Sequence, residues 1–144
     1  MSGKSGLLYK FEITGGNFSN AGKTSTSLKE ILQEIGIDPS LIVRAAIAAY
    51  EAEMNVVIHA RRGTLTLKIT PEKINLKLED EGKGIENIDL AMEEGFSTAT
   101  DEMREMGFGA GMGLPNIKRN SDGFKISSIP GKGTTLDITF LLKQ

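Results

Sequence analysis

PSLIVRAAIAAYEAEMNVVIHA, from Pro39 to Ala60, reads as one long helix. Between Leu41 and Ala60 nearly every residue is apolar or small and neither Gly nor Pro intervenes, so the helix is expected to be buried on more than one side. Glu51 and Asn55 are set into it. Residues four apart share a helical face, and this face also carries Ile47, Ala48, Met54 and Ile58, while Glu53 points roughly the opposite way. Burying an unpaired carboxylate costs several kcal/mol, so such a pair implies a partner group, a metal ion or a water-filled cleft. The plain alternative holds Glu51 with a neighbouring arginine such as Arg44 and bonds Asn55 to backbone.

Around this helix, 144 residues make one domain, 1–144, too small for a catalytic unit plus a separate dimerisation or sensor unit. A formal charge of −2 with interspersed signs offers no basic stripe, so nucleic acid is not an expected partner. The absence of cysteine removes disulfides and thiolate chemistry together. The start MSGKSGLLYKFEI lacks the apolar run of a signal peptide, and no stretch approaches the ~20 apolar residues of a membrane span. The expectation is a soluble, cytoplasmic protein with no membrane partner.

Before the helix, residues 7–13 alternate as a strand and Gly15-Gly16 turns the chain. Gly22-Lys23-Thr24 resembles the end of a phosphate-binding P-loop, but that motif requires glycine at position 17, where Asn17 stands. A helix from about Thr24 to Ile35 follows, with Leu28, Ile31, Leu32 and Ile35 as its stripe; Gly36 ends it and Asp38-Pro39-Ser40 opens the central helix.

After the helix, Arg61-Arg62-Gly63 is read as a turn into a hairpin whose strands alternate Leu65, Leu67, Ile69 and Ile74, Leu76, Leu78 about Pro71-Glu72. The second strand runs into Glu79-Asp80-Glu81-Gly82-Lys83-Gly84-Ile85, an acid followed by alternate glycines that let backbone pass close under a flat ligand. A short helix over 87–94 precedes a loop containing Ser97 and Thr98, which are candidate lid residues, and a charged run, 101–105. Gly107, Gly109, Gly111 and Gly113 then alternate ahead of Leu114-Pro115-Asn116, which suits an anion site at a helix N-terminus. Two strands, 124–129 and 134–142, close the chain about Pro130-Gly131-Lys132-Gly133. The fold class that follows is an α/β two-layer sandwich: three main helices on one face of a mixed, mostly antiparallel sheet of about five strands.

Glu51-x-x-x-Asn55 on a helix, Asp80-x-Gly82-x-Gly84 after a strand, a glycine loop opening a helix and Gly133-Thr134-Thr135 starting the last strand together resemble the GHKL superfamily of ATP-binding domains. EAEMNVVIHA and GFGAGMGLPNIKR look like its small anti-sigma factor and serine/threonine switch-kinase family. FSTATDEMREMGFGAGMGLPNIKR is nearest the kinase branch, which phosphorylates small antagonist proteins of STAS fold. The resemblance implies ATP and Mg²⁺ as cofactors, Asn55 as metal ligand, and Glu51 as the base that takes a proton from a partner's Ser or Thr. It implies Asp80 on the adenine amino group with Gly82 and Gly84 beneath the base, Thr135 with Thr134 near the adenine, and Gly109, Gly111 and Gly113 over the phosphates, with Arg104 a candidate for the γ-phosphate or the partner. A sigma factor sequestered by an ATP-loaded binding protein is the alternative partner, and a homodimer is in keeping with the family. His59 is read as a local hydrogen-bonding residue beside the nucleotide, since no separate dimerisation helix carries a phosphoacceptor histidine.

Overall fold

The computed structural model describes residues 6–85, 87–93 and 113–142. Five strands, β1 (Leu7–Thr14), β2 (Ala60–Ile69), β3 (Lys73–Gly82), β4 (Gly123–Ile129) and β5 (Gly133–Leu141), form one sheet in the order β1-β2-β3-β5-β4. All four pairings are antiparallel. Helices α1 (Lys23–Ile35), α2 (Pro39–His59) and α4 (Gly113–Asn120) are the main ones, α3 (Ile88–Ala91) is a single turn, and a 3-10 turn occupies Phe18–Asn20. The two-layer α/β sandwich expected from the strand and helix patterns is the architecture observed.

Period-two alternation in the strands sets the layer. Leu65 faces Leu78, Leu67 faces Leu76 and Ile69 faces Ile74, and this row continues through Leu136, Ile138 and Phe140 on β5. These side chains are buried, while their neighbours Lys68, Lys77 and Glu79 stay exposed on the other face. A one-residue slip would turn every apolar side chain to water, so the register is strongly specified. Over this apolar face lies α2, packed against α1, α4 and β2. Ala45, Ala48, Ala49 and Ala52 are fully buried along it. Small side chains let neighbouring elements approach closely, which explains how a helix so poor in large residues serves as the central one.

The reading of Arg61-Arg62-Gly63 as a turn is corrected. Helix α2 passes directly into β2: Ala60 is already extended (φ −120°, ψ 166°), Arg62 pairs with Glu81 and Gly63 with Asp80. Gly63 serves packing instead of chain reversal, because a Cβ there would lie 2.8 Å from Val56 Cγ2 and 3.3 Å from Asp80 Cβ. The helix end is thereby brought down onto the strand that carries Asp80.

Candidate functional site

Glu53 is the carboxylate that α2 buries completely, at 2% exposure. It points away from the Glu51 face and caps α1: Oε2 accepts the N–H groups of Gly22 (3.0 Å) and Thr24 (3.3 Å), and Oε1 that of Ser25 (3.1 Å). The N-terminus of α1 begins at Gly22 in the left-handed region (φ 98°), which has no side chain with which to cap itself. The P-loop-like Gly22-Lys23-Thr24 does hold an anion, and the anion is the protein's own glutamate. Sequence alone places Glu53 only on the face opposite Glu51 and misses the cap; the available signal was a second acid in an apolar helix.

Glu51 is half-buried and the expected alternative partner, Arg44, goes elsewhere. Arg44 Nε donates to Asn120 O (2.9 Å), its Nη2 to Asp122 Oδ1 (2.9 Å), and its guanidinium lies 5.8 Å from the Phe140 ring centroid. Glu51 Oε2 accepts instead from Asn116 Nδ2 on α4 at 3.2 Å, and Asn116 Oδ1 accepts from Arg119 Nη1 at 3.2 Å. Asn116 was not singled out from sequence; a carboxamide in the first turn of the helix that follows the glycine-rich stretch was the available signal.

Gly113 brings the start of α4 against both α2 residues. A Cβ on Gly113 would sit 3.6 Å from Asn55 Oδ1 and 3.8 Å from Glu51 Oε1. Glu51 Oε1, Asn55 Oδ1 and the α4 N-terminus thus converge on one small space kept clear by a glycine. Hard carboxylate and amide oxygens are the donors that suit Mg²⁺, and a helix N-terminus suits phosphate, so these residues fit a metal-bound nucleotide. Among the described residues no group of three or more His, Cys, Asp or Glu forms a metal cluster.

At the far end of β3, Asp80 Oδ1 accepts the Thr134 N–H at 2.9 Å. Burial pushes the Asp80 carboxyl above its ordinary value, against the Thr134 N–H, which pulls it down. Thr134 Oγ1 lies 2.9 Å from Ser128 Oγ, which also accepts the Ile85 N–H at 2.7 Å. Thr135, expected beside the adenine, belongs to the other face. It pairs with Glu79 and Ser127 on the solvent side, whereas Thr134 is buried on the helix side with Leu136 and Ile138. Alternation decides this, since consecutive strand residues point to opposite faces.

The space above Gly82 and Gly84 is used by the protein itself. A Cβ on Gly82 would meet Ala60 Cα at 3.0 Å, and one on Gly84, whose φ is +75°, would meet Ile129 O at 2.6 Å. Hydrogen bonds from Gly82 N to Lys132 O (3.0 Å) and from Gly131 N to Lys83 O (2.7 Å) interlock this loop with the β4–β5 turn. The two glycines therefore build the wall beside Asp80. His59 stands at the end of α2, half-buried, its pKa lowered by burial and then by the Lys83 charge. Gly109, Gly111, Arg104, Ser97 and Thr98 lie outside the described residues. No described helix is long and apolar enough to cross a membrane.

Residues 41–144 match the family model of the histidine kinase-, DNA gyrase B- and HSP90-like ATPases. The chain is 37% identical over 110 residues to the anti-sigma F factor of Thermoanaerobacter sp. (strain X514), covering 72% of this chain and 73% of that one. It is 32% identical over 112 residues to the serine/threonine-protein kinase RsbT of Bacillus subtilis (strain 168), covering 75% and 78%. A chain of the SiaB-SiaC complex from Pseudomonas aeruginosa superposes with a TM-score of 0.58 at 14% identity, over 96% of this chain and 92% of that one, which shows a shared fold. With the Glu51–Asn55 helix, the Asp80 strand end and the α4 N-terminus disposed about one side of the sheet, the chain belongs to the histidine kinase-, DNA gyrase B- and HSP90-like ATPase family, in its group of small anti-sigma factors and serine/threonine switch kinases.

Proposed function

We propose that the chain is an ATP-dependent serine/threonine protein kinase of a bacterial regulatory switch whose phosphoacceptor is a small STAS-type antagonist protein. The observation that carries this reading is the division of the Glu51 carboxylate. Its Oε2 is held by Asn116, while its Oε1 stands beside Asn55 Oδ1 at the N-terminus of α4. A carboxylate held through one oxygen, whose other oxygen has no hydrogen bond among the described residues, can take the proton of a partner's hydroxyl.

Mg·ATP, when bound, supplies the transferable γ-phosphoryl group and the charge that offsets its oxygens. Asn55 offers its carboxamide oxygen to the metal, and Gly113 opens α4 with N–H groups for the phosphates. Asp80 is bonded to Thr134 through Oδ1, so its Oδ2 is the acceptor for the exocyclic amine of adenine. Thr134 lies beside it, and the interlocked Gly82–Gly84 loop closes that end.

The test is transfer of labelled γ-phosphate from Mg·ATP to STAS-domain proteins, with Glu51→Gln beside wild type. General-base catalysis contributes about 10²–10⁴-fold, so the variant should lose transfer by that factor and still bind ATP. Transfer undiminished by Glu51→Gln refutes the assignment. The resemblance to an anti-sigma F factor at 37% identity favours a second reading, an ATP-loaded protein that sequesters a sigma factor. Stable capture of a sigma factor without phosphotransfer to any STAS-domain protein would decide for it.

A further inference from the structure

We propose that Ser128 is a positioning residue for purine recognition, acting through Thr134 and Asp80. The inference rests on the reading of Asp80 as the adenine-binding acid. Strand β4 places Ser128 opposite Thr134 on the helix side of the sheet. Its hydroxyl oxygen accepts the Ile85 N–H at 2.7 Å, donates to Gly133 O at 3.1 Å, and lies 2.9 Å from Thr134 Oγ1. A serine hydroxyl has one proton and two lone-pair positions. With the proton given to Gly133 O, the bond between the two hydroxyls is donated by Thr134, and the capacity of Ser128 is completely used.

This one oxygen ties β4 to two pieces of chain, the loop after β3 through Ile85 and the start of β5 through Gly133 and Thr134. Thr134 N in turn holds Asp80 Oδ1 at 2.9 Å. The contact between β5 and Asp80 is close, since a Cβ on Gly133 would fall 2.0 Å from Asp80 O. The direction of Asp80 Oδ2 therefore depends on where Thr134 sits, and Thr134 is pinned from its other side by Ser128. A carboxylate oxygen accepts from a 6-amino group and repels a 6-oxo group, so its aim sets which purine is taken. Loss of the Ser128 hydroxyl leaves the Ile85 N–H and the Thr134 O–H without their acceptor and releases that aim.

The experiment is calorimetric titration of the full chain with Mg·ATP and with Mg·ITP, which carries oxygen in place of the 6-amino group. A site built to bond the amine should favour ATP by at least about tenfold in the wild type. Ser128→Ala should weaken ATP by about tenfold, the size of one lost oriented hydrogen bond, and leave ITP within about twofold, so that the preference collapses. Ser128→Thr keeps the hydroxyl and suits a strand, and should retain the preference. Thr134→Val removes the same bond from its other end and should reproduce the loss if Ser128→Ala does not fold.

A purely structural hydroxyl would weaken both nucleotides equally, and an unchanged ATP/ITP ratio in Ser128→Ala and Thr134→Val overturns the proposal. Asp80→Asn, measured in the same way, separates the two levels. If Asp80→Asn abolishes the preference and the Ser128 and Thr134 variants do not, the positioning role alone fails. If Asp80→Asn leaves the preference intact, or wild type binds no ATP at millimolar concentration, the adenine reading fails and the inference with it.

Discussion

Replacing Glu53 by alanine should destabilise the fold by about 3–4 kcal/mol while leaving nucleotide affinity in the folded protein unchanged. The magnitude comes from the cap. Three backbone donors at the α1 N-terminus, Gly22, Thr24 and Ser25, share the two oxygens of a side chain that is 2% exposed. Loss of an ordinary N-cap costs about 1–2 kcal/mol by removing one such acceptor, and hydrogen bonds to charged groups contribute about 1.5–3 kcal/mol each. The released N–H groups of Thr24 and Ser25 cannot all be rehydrated without moving α1 away from α2, so the upper part of one cap plus part of a second is the expected loss. For a chain of this size the change corresponds to a fall in Tm of about 6–16 °C. Glu53→Gln retains one acceptor oxygen but turns an NH₂ group toward the helix donors, and should fall between. Urea unfolding followed by circular dichroism measures all three proteins. A loss below about 1 kcal/mol in Glu53→Ala would show that water replaces the cap and would refute the assignment of Glu53 as the tie between α1 and α2.

Asp80→Asn should raise the stability of the nucleotide-free protein at neutral pH while weakening ATP binding. The folded-state pKa of Asp80 is raised, so the fold loses stability as pH rises from the ordinary value of 3.8 through the raised one, and the amide, which still accepts from Thr134 N, escapes that loss; thermal melts at pH 7 check the sign. His59 has the opposite dependence: with its pKa held below 6.5 by burial and Lys83, the folded form resists protonation, and stability should fall as pH drops below 6.5 toward the lowered value. His59→Gln should flatten that part of a Tm–pH curve, and an unaltered curve would refute the assignment. Asn116→Ala should lower phosphotransfer by about tenfold at saturating ATP, the effect of misaligning a base by one hydrogen bond, with ATP affinity held within about twofold. An equal loss of affinity would place Asn116 on the nucleotide instead of the base.

The architecture was legible because its signals were periodic. Strands β2, β3 and β5 alternate apolar and polar residues over 64–69, 73–78 and 135–140, and α2 carries an apolar run that only a buried central helix can bear. The candidate site was marked out in the sequence because Glu51, Asn55, Asp80 and Gly113 are separate residue types at separate motifs, and the fold brings Glu51, Asn55 and Gly113 together. Long-range tertiary pairs left weaker marks. Glu53 caps a helix 28–31 residues before it, and Asn116 meets Glu51 across 65 residues, and neither separation is a periodicity that a sequence can display. The choice between Thr134 and Thr135 was available in principle, since Leu136 shares a face with Thr134. Gly63 and Gly82 illustrate the limit of composition: a glycine states that no Cβ fits, and only the fold says whether helix, strand or ligand occupies the space.

The two acids of α2 divide the work of the helix by direction. Glu53 faces α1 and is consumed by three backbone bonds, so its charge belongs to the scaffold. Glu51 faces α4 and is only half consumed, because Asn116 takes one oxygen and leaves the other at the α4 N-terminus. Helix α4 is itself tied to α2 at both ends, by Asn116 to Glu51 and by Arg44 to the Asn120 carbonyl and Asp122. The proposed base is therefore also a structural tether, and on that proposal deleting its carboxylate removes chemistry and attachment together. Glutamine separates the two roles: it presents an oxygen to Asn116 Nδ2 and so keeps the tether, but its neutral amide cannot take a proton. The chemical assignment of Glu51 consequently rests on the glutamine variant, while the excess loss in Glu51→Ala measures how far the placement of α4 depends on the same side chain.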